Sequence, residues 1–305
     1  MIRTTLAIAP LALLTAVTTT TSEAHAADGW ITSWEDAKKQ AQNEKKDILI
    51  DFTGSDWCGW CIRLRDEVFT KEEFRKVAPT QFVLLELDFP RTKKLPEALQ
   101  KQNDQLRNEF AVRGYPTILL ADAQGRAFAR TGYEPGGPKA YLEHLDKKVA
   151  ERKARDELFV QAEKAETDLE RAKLLDRALT QLERQSVLIG YGDVMARIIA
   201  LDKANEAGLR AKYDERIQLA AVEREIGEGD ADQAIQLVDA YLKGEHVAGE
   251  SKQKACFYRA RALFLKKDYA GAIVSLEAAE KHEPTSDLAR RIPQIIRQVK
   301  EQTGG

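Results

Sequence analysis

Three features of the sequence predict an α/β domain with a central mixed sheet flanked by helices, followed by an all-α helical region. Over residues 28–150, short apolar runs alternate with amphipathic stretches, and the alternation ends in an antiparallel hairpin and a closing helix. After Val149 the pattern changes: proline is absent until Pro284, and long charged stretches with helical spacing take over. Between an early apolar run and an amphipathic one, "DWCGWC" places Cys58 and Cys61 where a strand gives way to a helix.

Size and charge bound the possibilities. A chain of 305 residues and 34.2 kDa exceeds one average domain, and two domains are the natural division. A formal net charge of -2 and a pI near 6.2 provide no basic excess to neutralise phosphates, so nucleic acid is not expected as a partner. At the N-terminus, Arg3 precedes the apolar core "LAIAPLALLTAV" and the small-residue site "AHA", the three-part pattern of a cleavable leader. The expected division is therefore a signal peptide over 1–26, an α/β domain over 27–150 and a helical domain over 151–305. The mature protein is expected to be periplasmic or secreted.

The elements follow in order. Ser33, with Asp36 three residues on, is a helix cap ahead of the charged run "WEDAKKQAQNEKKD". The isoleucine-rich "ILIDF" (48–52) is a strand, bounded by the turn-forming "TGSD". From Cys58, the apolar residues Ile62, Leu64, Val68, Phe69 and Phe74 recur with helical spacing as far as Pro79. "QFVLLELDF" (81–89) is a second strand. The next charged stretch is a helix whose inner face carries Leu99, Leu106 and Phe110. "PTILLAD" and "RAFARTG" form a hairpin around "AQG", and a helix starts near Pro138.

The two cysteines admit redox, zinc-binding and structural readings. A thiolate at Cys58, at the N-terminus of a helix, is stabilised by the helix dipole and unpaired N–H groups, which favours it as a nucleophile. Cys61, one turn further in, lies within reach to close or resolve a disulfide. Zinc requires four ligands, yet no second CxxC exists and His144, His246 and His282 are scattered over other segments. Cys256, the third cysteine, falls at an inward position of a helix and is expected to be a buried, inert thiol.

"ILIDFTGSDWCGWC", "GYPTILLADAQGR" and the final hairpin and helix together resemble the thioredoxin-fold thiol–disulfide oxidoreductases, and among them the exported thioredoxin-like group. The resemblance implies that Cys58 attacks and Cys61 resolves, and that Pro116 is a cis-proline aligning substrate backbone beside Tyr115. It also implies that Asp51 is a buried acid exchanging a proton with Cys61, and that Trp57, Gly59 and Trp60 contact substrate. Two departures stand out. The stretch from Asp51 to Cys58 is one residue longer than the usual pattern, a difference a β-bulge would absorb. In addition, Leu84 takes the strand position where thioredoxins usually carry a lysine partner for the acid. Gly59-Trp60 contains no histidine to stabilise the thiolate, which points towards a reducing role.

Downstream, "KACFYRARALFLKKDYAGAIVSLEAAEKHEP" resembles a tetratricopeptide repeat, with Ala260, Tyr269, Ala272, Leu276, Ala279 and Pro284 at its small, aromatic and proline positions. The sequence is thus read as an exported reductase of protein disulfides. No cofactor is expected. A membrane-bound thiol is expected to return its electrons, and a protein or peptide is expected on the helical domain. The competing reading is a non-enzymatic, redox-sensitive interaction module.

Overall fold

The computed structural model describes residues 29–182 and 189–303; the expected leader over 1–26 lies outside the described residues. The N-terminal part runs β1 (Trp30–Ile31), α1 (Trp34–Glu44), β2 (Asp47–Thr53), α2 (Gly59–Leu64), α3 (Glu72–Gln81), β3 (Phe82–Asp88), α4 (Glu97–Glu109), β4 (Thr117–Ala121), β5 (Ala127–Thr131) and α5 (Gly137–Lys164). The five strands form one sheet in the order β1-β3-β2-β4-β5. β3 is parallel to both β1 and β2, whereas β4 is antiparallel to β2 and β5, so the sheet is mixed.

Period-two alternation along the strands builds a core on each face of the sheet. Ile48, Ile50 and Phe52 of β2 join Val83, Leu85 and Leu87 of β3 beneath α1 and α4. Leu49 and Leu84 join Leu64, Phe69, Phe74 and Tyr141 on the opposite face, beneath α2, α3 and α5. Ser33 caps α1, its hydroxyl accepting from the Asp36 N–H at 3.2 Å. Glycine and proline open α5, with Gly136 at φ 115° and Pro138 in the first turn, where its missing N–H has no helical partner to lose.

One expected helix is divided. The spacing from Cys58 to Pro79 predicts a continuous helix, but α2 widens into a π-helical turn over Arg65–Phe69 and stops, and α3 then continues past Pro79. The wider turn brings the consecutive residues Val68 and Phe69 both into the core. Pro79 falls in the last turn of α3, where its missing donor costs a single helical bond.

The remaining helices are α6 (Asp168–Thr180), α7 (Gly192–Leu201), α8 (Leu209–Glu228), α9 (Ala231–Tyr241), α10 (Gly249–Leu265), α11 (Tyr269–His282) and α12 (Asp287–Thr303). Each packs on its neighbours in sequence, burying small residues such as Ala234, Ala260, Ala272 and Ala279. Cys256 is free and buried in the core between α10, α11 and α12, and burial pushes its thiol pKa up. The expected boundary at 150/151 falls inside α5, whose first half packs Leu142 and Leu145 against the sheet and whose second half packs Ala162 among the helices.

Phe74 is fully buried, with its ring 4.9 Å from Phe69 and 6.5 Å from Tyr141. Replacing it with alanine is expected to cost about 3–5 kcal/mol of stability, to be read as a lowered midpoint of urea unfolding.

Candidate active site

The site begins where β2 ends. The Gly54 carbonyl accepts from the N–H groups of Trp57 (3.2 Å) and Cys58 (2.9 Å), closing a turn that lifts the cysteines above the strand end. A side chain at Gly54 would start 2.6 Å from the Trp57 indole, so this turn requires glycine. The turn also absorbs the extra residue of the motif: β2 pairs with β3 without interruption from Asp47 to Thr53, and the expected bulge is not needed.

Two carboxylates secure the turn to the segment after β3. Asp88 accepts from the Ser55 N–H (2.9 Å) and hydroxyl (2.6 Å), while Asp56 accepts from the N–H groups of Arg91 (2.9 Å) and Thr92 (2.7 Å) and from the Thr92 hydroxyl. The Thr92 hydroxyl and the two backbone donors hold the Asp56 carboxyl well below the usual carboxylate range. Sequence reasoning passed over both residues. Their only signal is a pair of acids placed beside turn-forming residues.

Cys58 caps α2, and its sulfur accepts from the Cys61 N–H at 3.2 Å. The two sulfurs are bonded, with Cα atoms 5.2 Å apart, and both residues are buried. When the pair is reduced, the same N–H and the helix N-terminus face a charge on Cys58 Sγ, whereas Cys61 sits one turn inside with no such donor among the described residues.

The Tyr115–Pro116 peptide bond is cis, and the Thr117 hydroxyl donates to the Gly114 carbonyl at 2.8 Å. Tyr115 meets the Trp57 ring edge-on at 5.6 Å, and Trp57 Nε1 donates to the Phe89 carbonyl at 2.8 Å. The Arg91 guanidinium lies over the Trp57 indole at 3.8 Å. Trp60 is more than half exposed and belongs to a different cluster, with Tyr133 at 5.2 Å and Arg63 above both rings. Trp57 and Trp60, both expected to contact substrate, thus belong to two separate aromatic groups. Gly59 is exposed and open, with no heavy atom within 4 Å of where a side chain would begin.

Asp51 is buried, and its Oδ1 has no hydrogen-bond partner among the described residues. Alternation places it on the α2 face of the sheet, where it lines a cavity of about 440 Å³ together with Cys61. Its cross-strand neighbour is Glu86, whereas Leu84 pairs with Leu49; the strand position beside the acid is thus filled by a second acid and not by the apolar residue expected there. Burial, with smaller contributions from Glu86 and Asp88, drives the Asp51 carboxyl well above its ordinary pKa. Burial and Asp88 push Glu86 up to about 7.

These raised values carry a stability consequence. From about pH 4 upwards the unfolded chain releases protons that the folded chain keeps, so both acids lower stability as pH rises towards their folded values. Asp51→Asn is accordingly expected to raise the thermal midpoint at pH 8 by about 2–4 °C for each kcal/mol of burial penalty relieved, and to lose that advantage below pH 4. Calorimetry at the two pH values measures it.

Residues 34–148 match the family model described as a thioredoxin-like domain, which ends before the later helices. Over 110 residues the chain is 37% identical to the disulfide bond reductase DsbH of Chlamydia pneumoniae, an alignment covering 36% of this chain and 66% of that protein. Over 103 residues it is 28% identical to the thioredoxin-related protein DsbJ of Chlamydia pneumoniae, covering 34% of this chain and 30% of that one. The chain thus spans just under two thirds of the first relative and less than a third of the second. A solved structure of a DsbH oxidoreductase aligns at 32% identity with a TM-score of 0.39, covering 44% of this chain and 93% of that one. Residues 34–148 are thus a thioredoxin-like domain, similar in sequence to a disulfide bond reductase.

Proposed function

We propose that this protein is an exported thiol–disulfide oxidoreductase that reduces disulfides in protein substrates. The observation that carries the reading is the Cys58–Cys61 pair at a helix N-terminus, with the Cys61 N–H directed at Cys58 Sγ, in a domain of the thioredoxin-like family. In the reduced protein, the Cys58 thiolate attacks one sulfur of a substrate disulfide; the other sulfur leaves as a thiolate and takes up a proton. Cys61 then loses its proton and attacks Cys58 Sγ, and the second substrate sulfur departs. Two electrons and two protons pass to the substrate, and the Cys58–Cys61 disulfide remains. A thiol donor, proposed to be membrane-bound, returns two electrons to reset the pair.

The direction rests on the motif. Neither Gly59 nor Trp60 supplies a cation to stabilise the reduced form, the arrangement expected of a reducing couple. The relative with 37% identity is itself named a disulfide bond reductase. In this reading Pro116 and Tyr115 align the substrate backbone, Asp51 exchanges a proton with Cys61, and Trp57, Gly59 and Trp60 form the surface the substrate meets.

The chain divides in this reading into a leader over 1–26, a redox domain over 27–150 and a tetratricopeptide-like domain over 151–305, with α5 shared between the last two. The helical domain holds the protein partner. Its support is an apolar groove of about 290 Å³ between α10, α11 and α12, lined by Phe257, Phe264, Leu276 and Ile295.

Insulin reduction with dithiothreitol as donor tests the activity. Turnover is expected from the wild type and is expected to fall to the uncatalysed level in Cys58→Ser, while Cys61→Ala accumulates a mixed disulfide with substrate. A wild type that binds partners without turnover, and a Cys61→Ala protein that captures no cysteine-linked partner, would establish the interaction module instead.

A further inference from the structure

Asp51 and Glu86 stand side by side on parallel strands with their side chains on the same face of the sheet. Both line the cavity that also reaches Cys61, but they occupy it differently. Asp51 is at the buried end, with one carboxylate oxygen unpartnered. Glu86 is only partly buried. Asp88, the third acid at the cavity, is committed to Ser55 through both of its oxygens; among the described residues no such donor holds the Glu86 carboxylate.

We propose that Glu86 is the outer half of a two-carboxylate proton relay, carrying to solvent the proton that Asp51 takes from Cys61. The inference rests on the reading of the chain as a thiol–disulfide oxidoreductase, and it adds a residue at the position where the thioredoxin pattern led us to expect an apolar one. In the resolving step the Cys61 S–H bond breaks and its proton passes to the Asp51 carboxylate, and Asp51 then hands that proton to the ionised Glu86 carboxylate, which releases it to solvent through the cavity. The Cys61 sulfur bonds to Cys58 Sγ, the bond from Cys58 to the substrate sulfur breaks, and the electron pair leaves on the substrate thiolate. The two protein sulfurs are oxidised by two electrons and the substrate is reduced by two. Glu86 acts through Asp51 and does not touch the sulfurs.

The charges around Glu86 suit this role. Burial and Asp88 on its own strand disfavour a charge on Glu86, and a charge on Glu86 in turn disfavours one on Asp51. Arg65 from the π-helical turn and Lys93 from the segment after β3 act in the opposite sense and keep Glu86 ionisable. Arg75 of α3 and Lys94 line the same cavity, and Tyr141 of α5, which senses Asp51, is held neutral by burial.

A chromogenic aromatic disulfide, 5,5′-dithiobis(2-nitrobenzoate), separates the two steps. Cys58 attack releases the first thiolate and Cys61 resolution releases the second, and stopped-flow absorbance follows each from pH 5 to 9. In the wild type the second release is expected to inflect near pH 7, where Glu86 titrates. Glu86→Gln is expected to remove that inflection and slow the second release about tenfold at pH 7, below the usual worth of a positioned acid or base. The first release is expected to stay within about twofold, since the relay does not act on Cys58. In an Asp51→Asn background, Glu86→Gln is expected to add nothing, because the two carboxyls act in series. Glu86→Asp, which keeps the charge and withdraws it by one methylene, is expected to retain the inflection with a smaller loss, and it guards against Glu86→Gln failing to fold. Second-release profiles that superimpose on the wild type in both Glu86 variants would overturn the relay while leaving the oxidoreductase reading intact. A wild type that releases no second thiolate and reduces no insulin would overturn both.

Discussion

The parallel pairing of β2 with β3 from Asp47 to Thr53 is the constraint on which the core and the site both depend. Side chains on a strand alternate between faces, so one register decides what each face contains. It sends Ile48, Ile50 and Phe52 towards α1 and α4, and Leu49 and Asp51 towards α2. A slip of β2 by one residue would place Asp51 among the phenylalanines of the opposite core and leave the cavity behind Cys61 without it. The hydrophobic pattern that secures the core therefore also secures the chemistry.

Above the strand end, position is set by polar contacts that replace regular structure. The Gly54 carbonyl gathers two N–H groups, Asp88 holds Ser55, and Asp56 holds Arg91 and Thr92. These contacts tie the cysteine turn to the segment following β3, and Trp57 adds a hydrogen bond to Phe89 in the same segment. The sulfurs are thereby held by two loops and a helix cap. Both cysteines are buried, whereas Gly59 and Trp60 between them are exposed.

The two parts of the chain are joined by more than a linker. α5 is a single helix of 28 residues that contributes to the sheet core and to the first helical core. At its middle, Arg155 is buried and donates to the Tyr191 hydroxyl and to Asp156, with Phe128 of β5 and Phe159 beside its guanidinium. Arg152 reaches Asp47 of β2 at 3.3 Å, and Arg126 reaches Asp193 of α7 at 3.9 Å. Because a buried guanidinium is costly unless satisfied, this junction favours one arrangement of helix and sheet over alternatives.

The sequence by itself determined the order of elements, the mixed sheet, the helical tail and the cysteine pair at a helix start, because each is written in local periodicity, turn residues or a short fixed spacing. Leu64, Val68, Phe74, Leu106 and Phe110 were legible as core for the same reason, and Ser33 as a cap. What local pattern cannot encode is pairing between distant segments. Only the tertiary structure set Glu86 beside Asp51, since that neighbour follows from strand register and not from similarity to a motif. Only it resolved the extra residue before Cys58 into a turn pinned by Asp88 and Asp56, because those contacts span more than thirty residues of sequence. The π-helical turn within the expected continuous helix belongs to the same class: burying Val68 and Phe69 together is a demand of the packed core, which helical spacing alone does not reveal.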